Sequence, residues 1–574
     1  MWTYGEFHPL IMLFLFGLSL FIVTRLLPQQ LIINGKRRLR ALANRPWVFA
    51  GLLVVISLTL NLLFTSIFYP QAAVHDEFAY LLASDTFTSG RLTNQPHPHW
   101  EHFETFHVLS QPSYQAKYPP GNAIFMAVGQ KLTGHPIVGV WIAFTLAGLC
   151  FFWMLRSWTS SGWAALGGLF LVSNGPLIRA WGQTYWAGSV AFMGGALIFG
   201  GLHRIWNAEG KPKPQDAILT GIGLVLLANS RPMEGFLVSV PVILGLLIWY
   251  FRNQQVTFAY KTFAIAMPIV LIGLTGLGLM VIYNRAVTGD ATKMPYTVHD
   301  QTYSQSSLLI WKTPPQPPEY RHARMERFYR EFGRQRQLDM RQPSVYTRVQ
   351  QRKFRLLWNW LPVGIGLTLF PVVFLWKDPW WRLAMAVTAT VILVHTQLAA
   401  SWMYPHYLAP ALALFFALNL HCMRLMKTWQ RQSKLGRTCC RVFLVMAFLK
   451  LIPTLTYWTY APRHTDRTTV EQTMMDESPG PHLVICSYGD EYPIVNDWVY
   501  NRADIDGSKI VWARDLGNAK NAQLFEYYAD RKIWRCHFKD DDTRTLELVR
   551  GTDCLLYTSP SPRDQRGSRM PSSA

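Results

Sequence analysis

Two carboxylates, Asp76 and Glu77, stand side by side in FYPQAAVHDEFAYLLASDTFTSGRLTN (68–94), directly after a long apolar run. Phe78, Leu81, Leu82 and Phe87 follow at helical spacing and Gly90 supplies a stop, which predicts an amphipathic helix lying along a membrane interface. The arrangement fixes a carboxylate where water meets lipid. Asp76 would also cap the helix, since acidic groups favour a helix N-terminus, and the two roles are compatible. Further along the same loop, HPHWEHFETFH (97–107) carries His97, His99, His102, Glu104 and His107. Imidazole and carboxylate are good metal ligands, yet Trp100, Phe103 and Phe106 interleave with them. An aromatic-rich interfacial loop explains the segment without an ion, so no metal site is assigned and no cofactor is required. His102 and Glu104 are read as substrate contacts, against plain packing. RAWGQTYW (179–186) and RPME (231–234), with Arg231, fall at ends of apolar segments, where they could line a polar pocket by stacking and hydrogen bonding; the alternative is an ordinary aromatic belt.

The elements that must position these groups are membrane spans. The 574 residues are 50% apolar and 14% aromatic, with only 16% charged, well below the quarter usual in soluble domains. Net charge is +21, but the basic residues stand in clumps between apolar runs, unlike the coated face of a nucleic-acid binder. At about 20 apolar residues per span, candidates are 7–27, 47–69, 135–155, 162–179, 184–205, 217–230, 235–251, 262–284, 356–376, 383–403, 407–426 and 442–460, about twelve in all. The segments 217–230 and 235–251 flank ANSRPMEG and could instead form one bent or re-entrant element. The basic clusters at 36–45 and 424–441 mark the cytoplasmic side. This places the loops 70–134 and 285–355, and everything after 460, outside. The first segment lacks a cleavage pattern and reads as a retained span.

Within 285–355, EYRHARMERFYREFGRQRQLDM (319–340) sets Met325, Phe328, Tyr329 and Phe332 among arginines and reads as a helix on the membrane surface. Its arginines would meet lipid headgroups or, alternatively, one lipid phosphate. In 461–553 the membrane pattern is lost. HLVICSY (482–488), KIVWA (509–513) and KIWRCHF (532–538) read as strands and 518–531 as a helix, a small α/β domain. Cys486 and Cys536 could pair there. Asp504 and Asp506 read as turn residues rather than metal ligands. The last 21 residues, 554–574, break abruptly in composition and read as translated sequencing adapter. No Gly-rich phosphate loop is present.

The acidic pair, an aromatic at Tyr80, the interface helix and Gly90 resemble the GT-C superfamily of polytopic glycosyltransferases, particularly the protein O-mannosyltransferase and lipid A aminoarabinose transferase types. QAKYPPGNAIFMAVGQKLTG (115–134) is similar to that family's Lys-Pro-Pro element, with Tyr118 inserted after Lys117. PHYLAP (405–410) is similar to its aromatic-proline element, with His406 where Arg is commoner. The resemblance implies an all-α polytopic membrane domain over 1–460 with a small extracytoplasmic α/β domain over 461–553. It also implies inverting sugar transfer from a polyprenyl-phosphate donor to a lipid, glycan or protein acceptor of the cell envelope, as in protein glycosylation. In that chemistry Asp76 is the general base and Glu77 its fallback. Lys117, His406 and Tyr407 meet the leaving phosphate, with Tyr80, His102, Glu104 and Arg231 around the substrate. The expected setting is a bacterial inner membrane with the site on its outer side. For Lys117 the alternative is a snorkelling surface lysine. For the whole chain the alternatives are a transporter or flippase of a lipid-linked or anionic solute, or a noncatalytic assembly protein.

Overall fold

The computed structural model describes residues 9–360, 378–398, 405–429, 434–460, 466–477, 479–540 and 544–550. These fall into two compact units, one within residues 9–96 and 106–460 and the other within residues 97–105 and 466–550. The first is helical and is that of an integral membrane protein. Among the described residues six helices are long and apolar enough to cross a bilayer: Pro46–Ile67, Pro136–Trp158, Pro232–Arg252, Phe258–Thr288, His406–Met426 and Thr438–Thr456. Phe258–Thr288 turns Leu271, Leu274 and Leu277 outward, an apolar surface suited to lipid.

The expected twelve spans are not reached among the described residues, which hold these six, or seven if Leu10–Leu26 and Gln29–Ala43, bent by 103°, form one. Hydropathy windows mark apolar segments whether they cross the membrane or sit inside the protein. The segment at 162–179 is a 12-residue helix, Ser161–Val172, about 18 Å long at about 1.5 Å per residue, which is short of a hydrocarbon core. Pro214–Ala228 is also short. It is followed by a separate 21-residue helix, Pro232–Arg252, so the two are not one bent element. The expected span 356–376 lies, from 361 on, outside the described residues.

Close backbone contacts lock this unit together. Gly188–Trp206 is buried along nearly its whole length. A Cβ at Gly195 would meet the Pro410 carbonyl oxygen at 2.0 Å, so glycine sets how near the Pro405–Trp429 helix can come. Likewise a Cβ at Gly129 would lie 2.0 Å from the Gly139 nitrogen, fixing Gly121–Thr133 against Pro136–Trp158.

The second unit carries a four-stranded sheet in the order Ile510–Arg514, His482–Tyr488, Lys532–Phe538, Arg544–Arg550. The first three strands are parallel and the last is antiparallel. The near-continuous apolar runs of His482–Tyr488 and Ile510–Arg514 follow from burial on both faces, whereas Lys532–Phe538 alternates and leaves Arg535 and His537 exposed. The fourth strand, RTLELVR, alternates charge with apolar residues and escapes that pattern. Val484, Trp498, Trp512, Trp534 and Phe538 form the core. Cys486 and Cys536 are in register on adjacent strands and are both free and buried. Asp504 closes a turn by accepting from the Gly507 N–H at 2.9 Å.

Candidate active site

The helix carrying the acidic pair runs His75–Thr88 with Asp76 and Glu77 in its first turn. Ser84 and Asp85 tie it to Gln130 of the next helix at 2.9 and 3.0 Å. A two-stranded antiparallel ladder, Val108–Leu109 with Gln115–Ala116, then closes the loop. It brings His107 and Lys117 together, with the Lys117 N–H donating to the His107 carbonyl at 3.1 Å. His107 has φ 63°, the one non-glycine positive φ among the described residues. Such backbone strain clusters at functional sites.

Asp76 sits at the centre. The Tyr118 hydroxyl donates to its Oδ1, and His107 Nε2 lies 4.0 Å from its Oδ2. The side chain keeps 36% of its surface exposed, so one carboxylate edge is open to a ligand. Burial alone would raise its pKa. The charge of His75, the Tyr118 hydroxyl and the charges of Lys117 and His406 together outweigh this and hold it below the usual carboxylate value.

Glu77 faces a different task. Its Oε2 accepts from the Ala73 N–H at 3.0 Å and its Oε1 from the Tyr185 N–H at 3.1 Å. Burial pushes its pKa up to about 7, against those hydrogen bonds. The side chain clamps the helix start to the 184–188 turn, and both oxygens are already in use.

Lys117 is 8% exposed, and its Nζ lies 5.4 Å from the Tyr118 ring centre and 5.1 Å from that of Tyr296. Among the described residues it makes no ion pair with a carboxylate. Burial lowers its pKa to about 8, opposed by the charges of Asp76 and Asp300. A desolvated ammonium between aromatic faces has the chemistry to receive an anion.

Around this pair, Tyr80 stacks on Tyr118 at 4.7 Å. The Arg231 guanidinium lies 4.8 Å over the Tyr407 ring and 3.8 Å from Glu234. His406 meets Trp186 edge-on at 4.9 Å. Asp76, Tyr80, Lys117, Arg231, His406 and Tyr407 thus belong to one neighbourhood. His102 and Glu104 do not join it. They belong to the second unit, where His102 hydrogen-bonds Asn521 and the Glu104 carbonyl accepts from Arg514. Their segment is anchored there by contacts such as His97 to Asp506 at 3.2 Å.

Several residues escape a reading of spacing. Tyr118 stands as an insertion in the sequence and is a direct partner of Asp76 in space. His75, at 4.8 Å from His107 ring to ring, and Tyr296 carried no signal of their own. The 319–340 segment turns its apolar face inward and not toward lipid: Phe328 stacks on Phe106 at 4.1 Å and meets His75 edge-on at 5.1 Å. His75, Asp76 and His107 offer one ligand atom each within 4.8 Å of one another, the group here that could hold a divalent ion.

No protein-family profile and no curated protein matches the sequence. Among solved structures, the chain is similar to apo ArnT from Cupriavidus metallidurans, at 11% identity over 86% of this chain and 93% of that one, with a TM-score of 0.52. The same protein bound to undecaprenyl phosphate matches at 12% identity over the same shares, with a TM-score of 0.49. The archaeal oligosaccharyltransferase AglB from Archaeoglobus fulgidus, in complex with an inhibitory peptide and a dolichol-phosphate, matches at 9% identity over 86% and 69%, with a TM-score of 0.47. At such identities the likeness is one of fold, and the fold of this chain is GT-C-like.

Proposed function

We propose that the protein is a membrane glycosyltransferase that moves a sugar from a polyprenyl-phosphate donor to an acceptor on the extracytoplasmic side, in a bacterial inner membrane. One observation carries this reading: an ionised, partly open carboxylate and an ammonium that makes no carboxylate ion pair among the described residues meet through Tyr118. They are a base for an incoming nucleophile and a cation for a departing phosphate. The shared fold with ArnT, a protein also solved with undecaprenyl phosphate, supports the donor class.

The acceptor hydroxyl or amine gives its proton to Asp76 as it attacks the anomeric carbon. The bond from that carbon to the phosphate oxygen breaks and its electron pair stays on the phosphate. A carboxylate held below its usual pKa is a weak base, so the proton moves late, when bond formation has made the nucleophile acidic. Charge builds on the leaving phosphate at the same time, and Lys117 meets it, with Arg231, His406 and Tyr407 in support. The small cleft beside Lys117 and Tyr296, about 10 Å³, is also lined by Met280 and Tyr283 of the Phe258–Thr288 helix. Glu77 is a positioning residue in this scheme.

The test supplies the purified protein in vesicles with a short-chain polyprenyl-phosphate sugar or the matching nucleotide sugar, together with cell-envelope acceptors. Labelled product from the lipid donor alone, with inverted anomeric configuration, is expected. Counterflow of intact labelled donor without new glycosidic product would favour transport and contradict the proposal.

A further inference from the structure

The helix Pro295–Tyr303 follows Phe258–Thr288 in the chain and has a divided surface. Pro295, His299 and Tyr303, four residues apart, are buried, and His299 Nε2 pairs with the Tyr329 hydroxyl at 3.2 Å, which holds the helix in place. The neighbouring stripe is open: Tyr296 is 44% exposed, and Asp300 is exposed as well. Residues four apart on a helix share one face. The Tyr296 hydroxyl makes no hydrogen bond among the described residues, and its ring packs on no other ring there; Lys117 Nζ lies 5.1 Å from the ring centre. The charges of Asp300, Glu234, Arg231 and Asp76 all reach this tyrosine, so it stands inside the candidate site. Asp300 and Lys117 feel each other's charge but form no ion pair among the described residues.

We infer that Tyr296 and Asp300 seat the sugar that is transferred: its ring lies on the open face of Tyr296, and its hydroxyl or amino substituents donate to the Asp300 carboxylate. The inference rests on the sugar-transfer reading. A sugar ring has an apolar C–H side, which suits an aromatic face, and polar substituents at its edge, which suit a charged acceptor. The other parts of the donor suit this stripe poorly. A phosphate is repelled by Asp300 and drawn to Lys117. A prenyl chain would desolvate the carboxylate without offering a hydrogen bond in return. The spacing agrees as well. Four residues advance a helix by about 6 Å at about 1.5 Å per residue, so a single ring attached to a phosphate on Lys117 can touch both the tyrosine and the carboxylate.

The experiment measures how well decaprenyl phosphate and its mannosyl, glucosyl and arabinosyl esters displace labelled decaprenyl phosphate from the full-length protein in detergent, without acceptor. At least one ester should bind wild type about tenfold or more tightly than the bare lipid, the scale of hydrogen bonds to a charged group. Asp300→Asn should cut that advantage by about tenfold and Tyr296→Leu by about three- to tenfold, while neither weakens binding of the bare lipid. Tyr296→Phe keeps the ring and should keep the advantage. Lys117→Gln should weaken the bare lipid and the esters alike. Both new positions are exposed, and unchanged melting temperatures of their variants would separate lost recognition from lost fold. Esters that bind no more tightly than the bare lipid, or an advantage untouched by Asp300→Asn and Tyr296→Leu, would overturn the inference and leave sugar transfer standing. No displacement even by the bare lipid would remove the sugar-transfer reading and the inference with it.

Discussion

Replacing Lys117 by arginine or glutamine separates its charge from its titration. Burial brings its pKa down to about 8. The ammonium is the form that meets a leaving phosphate, so activity is present below that value and is lost as pH rises through it. For the free protein, kcat/KM at pH 9 should be about a tenth of its plateau, one proton lost per site. A guanidinium does not deprotonate in this range. Lys117→Arg should therefore lower the plateau through changed geometry but remove the alkaline fall, so the variant-to-wild-type ratio climbs about tenfold between pH 7 and pH 9. Lys117→Gln removes the charge at every pH and should cost about 10²- to 10³-fold, the scale seen for one preorganised group facing developing charge. The assay is kcat/KM for labelled sugar transfer between pH 6 and 9.5 in one mixed buffer. An alkaline limb unchanged in Lys117→Arg, or a fully active Lys117→Gln, would refute the assignment.

Tyr118→Phe removes a hydrogen bond that stabilises ionised Asp76, worth about 1.5–3 kcal/mol to a charged group. The acid limb of kcat/KM should accordingly move up by about 1–2 pH units, and an unmoved limb would show that the hydroxyl does not tune Asp76. Glu77→Gln leaves one of two backbone N–H groups facing an amide donor, which should lower stability by about 1–3 kcal/mol in thermal unfolding while transfer per folded molecule stays within about tenfold. A large rate loss at unchanged stability would return Glu77 to the chemistry. In the second unit, Arg514 pairs with fully buried Asp497 at 2.6 Å. Arg514→Ala should destabilise that unit by about 3–5 kcal/mol, seen as faster limited proteolysis after residue 464, and a wild-type cleavage pattern would contradict it.

The acidic pair, the helix it opens and Gly90 were legible because their signals are local: capping residues, helical spacing and a stop within fifteen positions. The three parallel strands of the second unit were legible for the same reason, as short apolar or alternating runs. What spacing could not show depends on contacts far apart in the chain. Tyr118 looks like an interruption until its hydroxyl is seen on a carboxylate 42 positions earlier. Asp76 and Glu77 are adjacent, and only the Ala73 and Tyr185 N–H groups decide which is clamped and which is open. An amphipathic face at 325–332 reads alike whether it covers lipid or Phe106. His102 and Glu104 follow the loop in sequence but fold with residues some 410 positions later.

In the proposed reaction Asp76 takes the proton from the acceptor. Asp76→Asn keeps shape and an acceptor oxygen for Tyr118 but removes the base, and single-turnover transfer from a preloaded polyprenyl-phosphate sugar isolates that step from binding and release. A loss of about 10²- to 10⁴-fold is expected, with donor affinity and melting temperature near wild type. Transfer at the wild-type rate would contradict it.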